Sequence, residues 1–275
     1  MDYSPAPLSP MPAATAADTR TPAAFFWVLG LSLLAALVPT VWTDLDLRAA
    51  ALFTGPSQQI YSAQWWWVLW INNYVPLTFR VVLAVLAGLW LLARKRALWP
   101  NARYALAFVV VAGVLGPGVV VNWAVKNNWE RARPYQVENF GGAQKFTRAA
   151  VPSDQCDNNC SFVSGHVACG AFLVAVALVH RRRALAWSLA GVVTGLVIGF
   201  ARMSDVAHWL SDVLWAYPIT LLSCWLVWKA MQVLQAYWVD ADDEVARVNA
   251  GSHEGEAAAE STPSGEGHSP SRTPG

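Results

Sequence analysis

Six long apolar runs constrain this chain more than any other feature. They lie at about residues 23–42, 73–93, 103–124, 164–180, 184–201 and 213–236. Each is near the roughly 20 residues that a helix needs to cross a bilayer. The expected fold class is therefore all-α: a polytopic membrane protein of six transmembrane helices. Composition agrees. The chain is 55% hydrophobic and 13% charged, about half the charge content of roughly 25% usual in soluble domains. A net charge of +1 gives no reason to expect a nucleic-acid partner.

The runs divide the chain into three parts. Residues 1–22 are rich in Pro and Ala and read as a disordered tail. Residues 23–237 form the membrane domain. Residues 238–275, rich in Gly, Ser, Glu and Pro, read as a second disordered tail. The first apolar run is too long for the core of a secretory signal and lacks a basic flank, so it reads as an uncleaved span. Between the first two runs, residues 44–72 carry Trp65, Trp66, Trp67 and Trp70. That cluster suits an interfacial segment at headgroup level.

Basic residues set the orientation. Arg94, Lys95, Arg96 and Arg103 flank one turn, and Arg181, Arg182 and Arg183 flank another. Placing both inside puts both termini in the cytoplasm and the 125–163 loop outside. That loop also carries Lys126, Arg131, Arg133, Lys145 and Arg148, against a simple count. The conflict eases if those cations serve to bind an anion.

Three clusters fall on this outer side. Lys126 and Arg133 are seven residues apart and would share a face if the segment were helical, with Pro134 ending the helix. Two such cations suit a phosphate, or equally a basic flank touching lipid headgroups. Ser164, Gly165 and His166 open the fourth run. Ser164 can cap that helix, Gly165 permits close approach of a ligand, and His166 is placed to donate a proton. A plain capped helix with an interfacial His is the alternative. Arg202, His208 and Asp212 form the third cluster. His208 and Asp212 are spaced i, i+4 and would be neighbours on a helix face. A carboxylate on one imidazole nitrogen leaves the other free to attack. The alternatives are a surface pair and a metal site, but the chain lacks Glu-x-x-His, His-x-x-x-His and zinc-type cysteine spacing.

The order Lys-x6-Arg-Pro, Ser-Gly-His, Arg-x5-His-x3-Asp resembles the type 2 phosphatidic acid phosphatases, a family related to vanadium haloperoxidases. The resemblance covers about residues 75–235. It implies a six-helix fold and hydrolysis of a phosphomonoester or diphosphate without a metal or other cofactor. It also implies that Lys126, Arg133, Ser164, Gly165 and Arg202 hold the phosphate oxygens. His208 would attack phosphorus, Asp212 would orient it, and His166 would protonate the leaving alkoxide. Val163 stands where the family often has Pro, and Ala201 where it often has Ser. Neither departure removes a residue with a direct chemical role. The stretches 138–142 and 156–166 look like the branch acting on lipid A phosphates.

The implied substrate is a membrane lipid phosphate met at the outer face of a bacterial inner membrane. Its head group stays open among lipid A, undecaprenyl diphosphate, phosphatidylglycerophosphate and phosphatidic acid. No obligate protein partner is signalled. A lipid-to-lipid phosphotransferase would use the same site, and a non-catalytic lipid phosphate binder would keep the anion site without needing His208. Cys156 and Cys160 lie in the outer loop, in an oxidising compartment, with three residues between them. A turn there can bring them into disulfide range, against the alternative of two free thiols.

Overall fold

The computed structural model describes residues 20–54, 60, 62, 65–95 and 100–260. Residues 1–19 and 261–275, expected as parts of the tails, lie outside it, as does Arg96 of the first basic turn. Among the described residues there is no β-strand, only the isolated bridges Thr54–Ile60 and Val137–Gln144. The chain falls into two compact units, Met1–Met231 and Gln232–Gly275.

The first helices are α1 (Ala23–Val41), α2 (Asp44–Ala51), α3 (Trp66–Lys95) and α4 (Pro100–Gly113). A π-helical stretch, Val114–Val125, then runs into the short α5 (Lys126–Trp129). After a long loop come α6 (Gly165–Ala171), α7 (Leu173–Val176), α8 (Ala184–Ser204) and α9 (Leu210–Glu260). Five stretches are long and apolar enough to cross a membrane: Ala23–Val41, Trp66–Ala93, Ala102–Gln136, Arg181–Ser204 and Leu210–Ala236. Their outward side chains are large and apolar. Trp27, Leu34, Leu185 and Val193 are all exposed, as lipid-facing residues should be.

The fourth apolar run differs from the full-length span expected of it. Gly165–Val176 is a shorter apolar helix, broken at Phe172 into α6 and α7. Val167, Ala168, Ala171, Val174 and Ala175 on it are buried. Small residues let it sit among its neighbours rather than against lipid. A Cβ on Gly191 of α8 would strike Val174, and one on Gly195 would strike Tyr217 of α9. The glycines spaced four apart in α8 thus serve close packing inside the bundle.

Two further expectations change. The tryptophan cluster is no separate interfacial segment, because α3 begins at Trp66 and carries most of it on its first turns. Trp66 and Trp70 remain exposed there, where an aromatic belt would lie. Helix α9 also continues to Glu260, through residues expected in the C-terminal tail. That stretch holds no proline and is well supplied with Ala and Glu, both strong helix formers.

Helix ends place the site. Lys126 follows the π-helical stretch and opens α5, Arg202 lies in the last turn of α8, and Asp212 in the first turn of α9. The 21 residues of α8 span roughly 30 Å. They separate Arg202 from the basic turn Arg181–Arg183 at the other end.

Candidate active site

Lys126 and Arg133 do not share a helix face. Helix α5 stops at Trp129 because Glu130 turns left-handed, φ 43° and ψ 32°. Arg133 is extended and precedes the 3-10 turn Pro134–Gln136. The two cations meet instead through the outer loop. Arg133 donates from Nε and Nη2 to the Asn159 carbonyl, at 3.0 and 2.7 Å. Lys126 Nζ donates to Asn159 Oδ1 at 3.4 Å. Asn159 has a left-handed φ of 49°, which Asn tolerates better than most residues. It sits between Cys156 and Cys160, which are joined by a disulfide. The bridged turn therefore carries the anchor for both cations.

Ser164 occupies the N-cap position of α6, but its side chain makes no capping bond. Its hydroxyl is buried and unpaired, so it is free for a ligand oxygen. Its N–H donates to the Asp212 carbonyl at 3.2 Å. Gly165 has no room for a side chain, because a Cβ there would collide with the Asn122 amide. Asn122 is held in turn by donating to the Pro117 carbonyl at 2.7 Å. Between α3, the π-helical stretch and α6 lies a cavity of about 440 Å³. Pro76, Phe79, Leu83, Val114 and Asn122 are among its lining residues.

His208 and Asp212 are not on one helix face either. His208 lies in the turn before α9, and Asp212 is the third residue of the helix. The Asp212 carboxylate reaches back to accept the Trp209 N–H at 2.9 Å, half of a capping box. That fold-back brings Asp212 Oδ2 to 3.5 Å from His208 Nδ1. The pair is in ion-pair reach, but its geometry falls short of a hydrogen bond. Burial first, then the charges of Arg133, Arg202 and Lys126, hold His208 well below the ordinary histidine value. It is neutral at pH 7, the form in which an imidazole nitrogen can attack.

Asp212 itself is fully buried and heavily bonded. Arg131 Nη1 donates to it at 2.6 Å, and the Ser161 hydroxyl donates to its other oxygen. Arg131 also donates to Ser211 Oγ at 2.8 Å and to Asp46 Oδ2 at 2.7 Å. Its guanidinium lies over the Trp209 ring at 5.2 Å. Asp46, from α2, accepts the Ser211 N–H at 2.8 Å. Arg131, Asp46 and Ser161 were missed as site residues in the sequence. One of two Asp in a short helix and one Arg among five loop cations carry no spacing signal.

Arg202 donates from Nη1 to Asn72 Oδ1, and lies 3.6 Å from Asp205 Oδ2. Its Nε is buried without a partner. His166 Nε2 is 3.0 Å from the main-chain oxygen of Asn72. The structure thus brings Lys126, Arg133, Ser164, Gly165, His166, Arg202, His208 and Asp212 to one end of the helices. Three cations, an unpaired hydroxyl and two imidazoles suit an oxyanion with several charged oxygens. Among the described residues, no three of His, Cys, Asp and Glu are grouped to hold a metal ion.

Comparison with known proteins agrees with this geometry. Residues 102–236 match the PAP2 superfamily. A lipid A 4'-phosphatase of Francisella tularensis subsp. novicida (strain U112) is 32% identical over 204 residues, covering 72% of this chain and 90% of the relative. The chain belongs to the PAP2 superfamily. Two other relatives, both also lipid A 4'-phosphatases, are matched over about half their length. That of Rhizobium leguminosarum is 37% identical over 44% of this chain and 54% of its own. That of Rhizobium etli (strain ATCC 51251 / DSM 11541 / JCM 21823 / NBRC 15573 / CFN 42) is 38% identical over 41% and 45%. No solved structure matches the chain significantly. This PAP2 protein is a membrane lipid phosphatase. Every residue of the three clusters falls inside the PAP2 match, while Asn72 and Asp46 lie outside it.

Proposed function

We propose that this phosphatase removes a phosphate from a lipid A-type glycolipid at the outer face of the inner membrane, through a phosphohistidine on His208. Lys126, Arg133, Arg202, the Ser164 hydroxyl and the Gly165 backbone hold the phosphate oxygens. A free imidazole nitrogen of His208 attacks phosphorus as the bond to the lipid oxygen breaks, and His166 gives that oxygen a proton. In the second step, water loses its proton to His166 and attacks the phosphohistidine. Inorganic phosphate leaves, and His208 is neutral again. Positioning and charge stabilisation carry most of such a transfer. His166 supplies acid and then base.

The observation that carries this is the convergence of three cations and an unpaired serine hydroxyl on a neutral, carboxylate-backed His208. The lipid A head group rests on the likeness to the three lipid A 4'-phosphatases. Six spans, with α6–α7 as a short fourth, put both termini in the cytoplasm and the site outside. Supporting that topology, Arg103 and the Arg181–Arg183 turn lie at the helix ends away from the site.

The test is phosphate release by the purified full-length protein in detergent with EDTA. Lipid A, undecaprenyl diphosphate, phosphatidylglycerophosphate and phosphatidic acid are the substrates. Preferred release from lipid A supports the proposal. Preference for another lipid overturns the head group, and transfer of label to an acceptor lipid in place of free phosphate overturns hydrolysis. Full function in a His208→Ala variant would leave a lipid binder.

A further inference from the structure

Asn72 touches both halves of the site, yet it lies outside the three sequence clusters and outside the matched region. It sits on α3, a helix whose other inward residues are apolar packing groups such as Val68 and Ile71. Its side chain is fully engaged. Oδ1 accepts from Arg202 Nη1, and Nδ2 donates to Asp205 Oδ2 at 2.9 Å. Asp205 in turn lies 3.6 Å from Arg202 Nη1. The amide therefore closes a three-membered clamp that fixes one guanidinium edge.

The main chain of Asn72 does something different. In a regular helix its carbonyl would accept the N–H of residue 76. Residue 76 is Pro76, inside α3, and proline has no N–H to give. The carbonyl is left for another donor, and His166 Nε2 lies 3.0 Å away. A carbonyl oxygen can only accept, so Nε2 must carry the hydrogen. That fixes the ring: Nδ1 is left as the nitrogen that gives and takes the catalytic proton.

We propose that Asn72 is a positioning residue with two separable duties: its amide orients Arg202 for phosphate binding, and its Pro76-released carbonyl orients His166 for leaving-group protonation. This presupposes the phosphohistidine chemistry proposed above. The two duties predict different defects. Loss of the amide weakens the hold on phosphate. Loss of the free carbonyl weakens proton delivery, which in the first step matters only when the leaving oxygen is a poor leaving group.

The experiment compares Asn72→Ala and Pro76→Ala in the purified full-length protein. The two substrates are the lipid phosphate and p-nitrophenyl phosphate, whose phenolate leaves without help. Pro76→Ala restores an N–H that competes for the Asn72 carbonyl. Its rate of phosphohistidine formation at saturating lipid should fall at least about tenfold, part of the 10²–10⁴ attributed to a general acid, while that rate with p-nitrophenyl phosphate stays within about threefold. Asn72→Ala keeps the carbonyl. It should raise KM and weaken vanadate inhibition on both substrates by about tenfold, the effect of one lost interaction near 1.4 kcal/mol. Thermal unfolding in detergent accompanies each variant, so that a folding defect is seen as such. Equal loss on both substrates in folded Pro76→Ala overturns the carbonyl duty. Unchanged KM and vanadate inhibition in Asn72→Ala overturns the amide duty. His208→Ala runs alongside: turnover there would refute the phosphohistidine chemistry itself, a failure distinct from either.

Discussion

His208 and His166 stand at the same end of the bundle and are held in opposite ways. Behind His208 lies a closed layer of buried charge: Asp212, then Arg131, then Asp46, with Ser161 and Ser211 filling the remaining bonds. Behind His166 lies one main-chain carbonyl, and its neighbourhood is the apolar packing of α6 against α8. The difference matches the roles proposed for the two rings. A nucleophile that takes on phosphate needs a fixed direction and a nearby anion. A group that shuttles a proton twice needs one nitrogen anchored and the other free.

The comparison breaks most sharply at His208. His208→Ala should abolish turnover of every substrate, because no covalent intermediate can form. His166→Ala should retain a residue of activity. The loss expected in phosphohistidine formation from the lipid is on the order of 10²–10⁴, with a much smaller loss from p-nitrophenyl phosphate. Single-turnover rates of phosphohistidine formation on both substrates decide this, and equal losses would erase the distinction between the rings.

The charged layer should show itself in stability rather than in rate alone. Arg131→Met strips two buried carboxylates of their shared partner. Breaking a buried pair from one side costs about 3–5 kcal/mol, so thermal unfolding in detergent should move down steeply. His166→Ala, which removes no buried charge partner, should barely shift it. If the two variants unfold alike, the layer behind His208 is not what holds that side together.

Acidity separates the two sides further. Burial and the neighbouring cations push His208 below the ordinary histidine value. The acid limb of kcat/KM should then lie below pH about 6.5. Arg133→Gln removes the largest charge contribution to that push and should move the limb upward. A limb that stays put or moves down would contradict the assigned cause.

The smallest effect is expected at the outer loop. Replacing Cys156 and Cys160 by Ser frees the turn that carries Asn159, and with it the anchor of Arg133 and Lys126. KM should rise a few-fold while kcat stays near its original value. A changed kcat with unchanged KM would show that the bridge does not serve the cations.

Much of this was legible in the sequence. Apolar length marked the five stretches long enough to cross a membrane but not the shortness of the fourth run, and the spacing of Lys126, Arg133, His166, Arg202, His208 and Asp212 marked residues that the fold brings together. Local geometry was read less well, for physical reasons. The left-handed Glu130 ends α5 early, so Arg133 reaches the site by an extended strand-like path instead of a helix face. Asp212 caps its own helix, which pulls His208 into the turn before it. The supporting residues were hidden because their partners are far away in sequence. Arg131 lies 85 residues from Asp46, and Asn72 lies 130 residues from Arg202. No periodicity reports such a contact.

One measurement bears most directly on the central claim. The full-length protein is mixed briefly with a lipid substrate carrying labelled phosphate, quenched under conditions that spare phosphohistidine, and mapped by mass spectrometry. The account predicts an acid-labile phosphate on His208, reached before free phosphate appears and absent from His208→Ala. Label on any other residue, or rapid release with no labelled protein at any time, would contradict it.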